Sequence, residues 1–118
     1  MTGNLIRDKS YEFALRIMKM YRHMIKNNVE HEIAKQLLRS GTSIGANVEE
    51  GCSAQSRKDF IHKLSIAQKD AFETRYWLRL LRDSGEIKKE HGNSMIKDCD
   101  ELISILTSIL KTTKANTK

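Results

Sequence analysis

The chain has 118 residues, no proline, six glycines, two cysteines and a formal net charge of +6, with 39% of residues apolar and 31% charged. That length suffices for one domain, residues 1–118, that buries roughly 60 to 70% of its unfolded surface without staples, and the apolar share excludes a disordered chain. No stretch approaches the roughly 20 apolar residues of a membrane span, and the start, MTGNLIRDKS, has no apolar run of signal-peptide length, so a cytoplasmic protein is expected.

The first helix is predicted over about 8–26. Asp8 or Ser10 offers a side-chain oxygen to the free amides of a first turn. Phe13, Ala14, Ile17, Met18, Tyr21, Met24 and Ile25 then recur at intervals of three and four, which lines one side of a helix. Asn27 and Asn28 supply turn chemistry. A second helix is predicted over about 31–51, with Glu30 and Glu32 at its positive end and a stripe of Ile33, Leu37, Ile44 and Val48. Gly41, Gly45 and Ala46 interrupt the stripe and lower helix propensity, which predicts either close approach of another backbone or a bend.

The third helix, about 57–83, carries the clearest signal. Phe60, Leu64, Ala67, Ala71, Thr74, Leu78 and Leu81 form the seam of a packed bundle. Ser56 caps it with Asp59 three residues on, and Asp83, Ser84 and Gly85 end it. The fourth helix, about 88–112, buries Met95, Cys99, Leu102, Leu106 and Ile109, with Ile96, Ile103 and Leu110 widening the face. A disordered basic tail, 113–118, is expected after it. Cys52 and Cys99 are too few and too far apart for a disulfide framework and read as reduced core thiols. Four amphipathic helices with short connections make an all-α, up-down-up-down antiparallel four-helix bundle.

Two surfaces stand out. Phe72, Tyr76 and Leu80 follow one another every fourth residue behind the third helix's seam, with Trp77 at the flank. Such a stripe fits a self-association surface, or the docking face of a scaffold that binds another protein. On the first helix Lys9, Arg16, Lys19, Arg22, His23 and Lys26 gather with only Glu12 as an acidic interruption. With the net charge and the basic tail, this face suits the phosphates of RNA or DNA. No aromatic interleaves these cations, so base stacking is not expected there. Asn47 falls close to the apolar side of the second helix and needs partners, from Ser40, Glu50 or a neighbouring helix.

Catalytic and metal patterns fail on spacing. Asp59 and His62 have the i, i+3 arrangement of a metal-binding pair, but a di-iron bundle repeats it on a second helix. His31-Glu32 begins like a zinc-protease motif, yet Lys35 stands where the second histidine must be. Gly41 and Gly45 lack the Gly-Lys-Ser/Thr of a phosphate loop, and nothing fixes a nucleophilic triad. No enzyme, no metal and no cofactor is expected.

The segments QLLRSGTSIGANVEEG, residues 36–51, and SRKDFIHKLSIAQKDAFETRYWLRLLRDSGEI, residues 56–87, resemble the four-helix-bundle proteins encoded within intervening sequences of bacterial large-subunit ribosomal RNA genes. Ser43-Ile44, Asn47, Gly51, Phe60, Ile66-Ala67 and Glu73 carry the match. The chain departs from the pattern in lacking a proline after the first helix and another before the Asn47 position. The resemblance implies a homo-oligomer, as similar proteins form five-subunit rings. It also implies nucleic-acid contact, since a related accessory variability protein of diversity-generating retroelements binds nucleic acid and a reverse transcriptase, which makes a nucleic-acid-processing protein a further implied partner. A ring would multiply the charge of each subunit, so weak contacts would sum if one nucleic acid spans several copies.

Overall fold

A computed structural model describes residues 2–116, with side chains from Leu5 to Asn116. Four helices follow one another: α1 (Thr2–Lys26), α2 (His31–Cys52), α3 (Arg57–Asp83) and α4 (Lys89–Ala115). Each packs antiparallel against its neighbours in sequence, and α1 closes on α4 along a looser seam, while the diagonal pairs stay apart. The result is an antiparallel four-helix bundle measuring 49 × 22 × 20 Å.

The reason is a heptad read four times. The buried residues of α1 are Ile6, Ser10, Phe13, Ile17, Met20 and Met24, spaced four and three apart. In α2 the buried set includes Ala34, Leu37, Gly41, Ile44, Val48 and Gly51. In α3 it is Leu64, Ala67, Ala71, Thr74, Leu78 and Leu81. In α4 Gly92, Met95, Cys99, Leu102 and Leu106 continue it. A period of 3.5 keeps one seam facing the same partners along the whole length, which is what bundles of slightly supercoiled helices require.

Local signals set most boundaries. The Ser56 hydroxyl accepts from the Asp59 amide at 3.0 Å, and the Glu30 carboxylate accepts from the Glu32 amide at 2.8 Å. Asn28 at φ 56° and Gly85 at φ 81° turn the chain after α1 and α3, and an asparagine and a glycine are the residues that tolerate this conformation. Two helices outrun expectation. α1 starts at Thr2 rather than near Asp8, because Ile6 continues the buried stripe a full turn earlier and is 1% exposed. α4 runs on to Ala115, where Thr113 donates to the Ile109 carbonyl at 2.7 Å and Arg57 donates to the Asn116 carbonyl at 2.7 Å. Residues 117 and 118 of the expected tail lie outside the described residues.

Some side chains also face elsewhere than expected. Met18 points outward and Met20 takes the core position, since Met20 lies three residues after Ile17 on the heptad. Leu110 is buried where Ile109 was expected. Phe60 is half-buried at the bundle's end. α1 and α2 approach closely, with no bend needed. A Cβ on Gly41 would lie 2.8 Å from the Ile17 side chain, and one on Gly45 would lie 3.3 Å from the Ser10 carbonyl.

Polar atoms within the seams are matched. The Thr74 and Ser40 hydroxyls share a 2.9 Å hydrogen bond between α3 and α2. Asn47 donates to the Ser43 carbonyl at 3.0 Å and to Asp70 across the seam at 3.3 Å, so a neighbouring helix supplies the partner. Desolvation raises the Asp70 carboxyl above its ordinary value, against the opposing pull of Arg39. No buried side-chain nitrogen or oxygen among the described residues lacks a partner.

The cysteines divide. Cys99 is buried, donates to the Ala71 carbonyl at 3.2 Å, and burial pushes its thiol up to about 12. Cys52 is exposed at the end of α2, not in the core, because Gly51 rather than Cys52 falls on the heptad. The thiolate is the reactive species, so an aromatic disulfide reagent at pH 8 should titrate one thiol in the native protein and a second only after denaturant is added.

Candidate nucleic-acid interface

Helical geometry spreads Lys9, Arg16, Lys19, Arg22 and Lys26, the five cations expected to meet phosphate, over more than one face of α1. A step of 100° per residue puts Lys9 and Arg16 on the flank beside α4, and Lys19, Arg22 and Lys26 on the outer surface. The structure uses the first two as ties. Lys9 Nζ lies 3.2 Å from Glu101, and Arg16 pairs with Asp98 while donating to Ser94 Oγ at 3.3 Å. Lys19, Arg22 and Lys26 are exposed and have no ion-pair partner among the described residues.

Elsewhere most arginines are engaged in pairing across or along helices. Arg7 grips Glu49 in a fork at 2.7 and 3.0 Å, which holds that carboxyl below its usual range. Arg75 meets Asp100 at 2.6 Å, Arg82 meets Asp83 at 2.8 Å, and Arg39 pairs with Glu73. Exposed pairs of this kind add little stability each, but they remove cations from what a phosphate backbone would meet.

The antiparallel course brings the end of α1 beside the start of α4. Lys88 and His91 therefore join Arg16, Lys19 and His23 around a cavity of about 770 Å³. Its floor is apolar, formed by Met20, Met24, Val29 and Ile87, and Glu86 is its one carboxylate. Burial, then the charges of Arg16 and His23, hold the His91 imidazole below its ordinary value. The sequence carried a hint of this in Lys88-Lys89, two cations at a helix start where the dipole disfavours them.

Two exposed apolar strips stand out among the described residues. On α3, Phe72 and Tyr76 are each more than half exposed and Leu80 follows one turn on. Trp77 does not share that stripe. It packs half-buried against the core, donates to Glu73 at 3.0 Å, and meets the Tyr76 ring edge-on at 5.2 Å. On α1, Tyr11, Leu15 and Met18 form a second exposed strip, with Tyr11 63% exposed. Periodicity placed Met18 on the buried side, and Leu15, directly opposite the core stripe, was the signal of this strip. Because α1 and α3 occupy diagonal corners, the strips lie on opposite sides of the bundle.

No group of three or more histidine, cysteine, aspartate or glutamate side chains able to hold a metal gathers among the described residues. No helix there is long and apolar enough to cross a membrane.

Comparison with known proteins agrees with this architecture. A family profile described as 23S rRNA-intervening sequence protein matches residues 4–108. A crystal structure of a protein with unknown function from the S23 ribosomal protein family of Bacteroides thetaiotaomicron VPI-5482 is 49% identical. It covers 94% of this chain and 99% of its own, with a TM-score of 0.91. No curated protein matches.

Proposed function

The chain belongs to the 23S rRNA-intervening sequence protein family, and we propose that it is a non-enzymatic, homo-oligomeric nucleic-acid-binding protein of the cytoplasm. The observation that carries this reading is the set Lys19, Arg22 and Lys26, left exposed and unpaired on α1 while neighbouring cations are spent on ion pairs. Free lysine and arginine side chains displace the counterions of a phosphate backbone. Each such contact contributes affinity that falls with salt. Lys9 and Arg16 are secondary in this reading, since a phosphate would have to compete with Glu101 and Asp98.

Self-association supplies what three cations per subunit lack. The apolar strips on α1 and α3 face away from each other, so joining one to the other between copies is a heterologous contact, which closes into a ring when the rotation allows. A five-membered ring, as the family resemblance implies, would repeat the cationic strip around one assembly and sum weak contacts into avidity.

The reading is tested by fluorescence anisotropy with a labelled structured RNA and a duplex DNA over a salt series. Arg22→Glu with Lys26→Glu should weaken binding at least tenfold and lower the salt slope by about two, with the oligomer intact. Unchanged affinity and slope would remove the α1 surface. Binding partners that stay bound at high salt and depend on Phe72 and Tyr76 would instead favour a protein-interaction scaffold.

A further inference from the structure

The cavity between the end of α1 and the α3–α4 connection has a composition that the outer strip does not. Its mouth carries Arg16, Lys19 and Lys88 with one carboxylate, Glu86, and its floor carries methionine, valine and isoleucine. Its volume, about 770 Å³, is large enough to take a molecule of nucleotide size. Lys19 and Lys88 are exposed and have no ion-pair partner among the described residues, so their charge stands beside an apolar floor without a salt bridge to balance it. An anion carrying an apolar or aromatic body complements both features.

We infer that this cavity binds a nucleotide unit, with the phosphate at Lys19 and Lys88, Arg16 standing beside them in its pair with Asp98, and the base over Met20, Met24 and Ile87. The imidazoles of His23 and His91 face the same space and offer flat surfaces for a base to stack on, as histidine does in RNA-binding sites. Lys19 belongs both to the cavity mouth and to the exposed strip on α1, so the two positive surfaces are continuous. The identity of the ligand as a nucleotide rests on the nucleic-acid reading above. The cavity itself does not, because Arg22 and Lys26 do not line it and Lys88 and Glu86 are not on α1.

The same chemistry is presented by a free nucleoside monophosphate and by the phosphorylated end of a strand, and both serve as probes. Titrating the full-length protein with adenosine 5′-monophosphate, followed by amide and histidine-ring NMR, should shift resonances of residues 16–29 and 85–91. The charged and titratable groups lining the cavity with His91 are Arg16, Lys19, His23, Glu86 and Lys88, and of these Arg16 and His23 act on its ring, so a bound phosphate should raise the titration midpoint of His91. Adenosine and inorganic phosphate should each bind at least tenfold more weakly than the nucleotide that joins them.

Lys88→Ala should weaken the nucleotide about tenfold by removing a charge-assisted contact. Glu86→Gln should strengthen it, a gain that misfolding does not mimic. Arg22→Glu with Lys26→Glu should leave it within about twofold, which separates failure of the cavity from failure of the strip. A short oligonucleotide with a 5′-phosphate that displaces the nucleotide assigns the site to strand ends, and one that does not assigns it to free nucleotide. Shifts confined to other regions, or tighter binding of decanoate than of the nucleotide, overturn the inference.

Discussion

Gly41→Val should destabilise the bundle by about 3 kcal/mol, at the upper end of what overpacking a core costs. The valine Cβ would stand 2.8 Å from one carbon of Ile17 and 2.9 Å from another, and its two methyl groups would extend further into the same space. Ile17 is fully buried, so it has no solvent to retreat into. Glycine costs an interior helix position about 1 kcal/mol relative to alanine, and here it is retained because α1 and α2 touch at that point. The contact is specific, so the loss should be partly recovered by Ile17→Ala in the same chain. Chemical denaturation of the four members of this cycle gives the coupling. A sum of single effects equal to the double would show that Gly41 and Ile17 do not meet.

If copies join through the α3 strip as proposed, Tyr76→Glu with Leu80→Lys should leave a monomer of 13.6 kDa on light scattering. Both side chains are exposed on α3, so charges there cost the isolated subunit little, yet they would be buried where two copies join. Leu15→Lys on α1 should have the same effect through the other strip. The arrangement of the strips makes a sharper demand. Mixing the α3 variant with the α1 variant leaves one intact face of each kind, so a head-to-tail contact yields a capped heterodimer and nothing larger. If the Leu15→Lys protein dimerises by itself, α3 instead pairs with α3. Native mass retained by the α3 variant would eliminate that stripe as the contact.

The contrast between Tyr76 and Trp77 shows how little separates a surface aromatic from a structural one. They are adjacent in sequence, and their rings touch, but a 100° step leaves Tyr76 outside while Trp77 reaches the core's edge. Glu73 holds the indole from one turn back and Arg39 from α2, and these hydrogen bonds keep its carboxyl lowered despite the desolvation that opposes it. Trp77 thus lies at the flank of the stripe, against the core and in contact with Tyr76.

The number of helices, the seam of α3, the acidic start of α2 and the Ser56 cap were legible in the sequence, because each depends on residues within a turn or two of one another, whereas in α1 the apolar stripe took in the exposed Met18 and missed Ile6 and Met20. The Phe72, Tyr76 and Leu80 stripe was legible for the same reason, being the face opposite a strong seam. The fate of the basic face was not. Lys9 and Arg16 look equivalent to Lys19 and Arg22 along α1, and only the folded bundle brings Glu101 and Asp98, 92 and 82 residues away, against the first two. The cavity at the bundle's end is likewise assembled from α1 and the α3–α4 connection. Periodicity reports which side of a helix is buried, whereas the charge left free on its surface depends on the flank that another helix covers, and that is decided by packing between segments far apart in the chain.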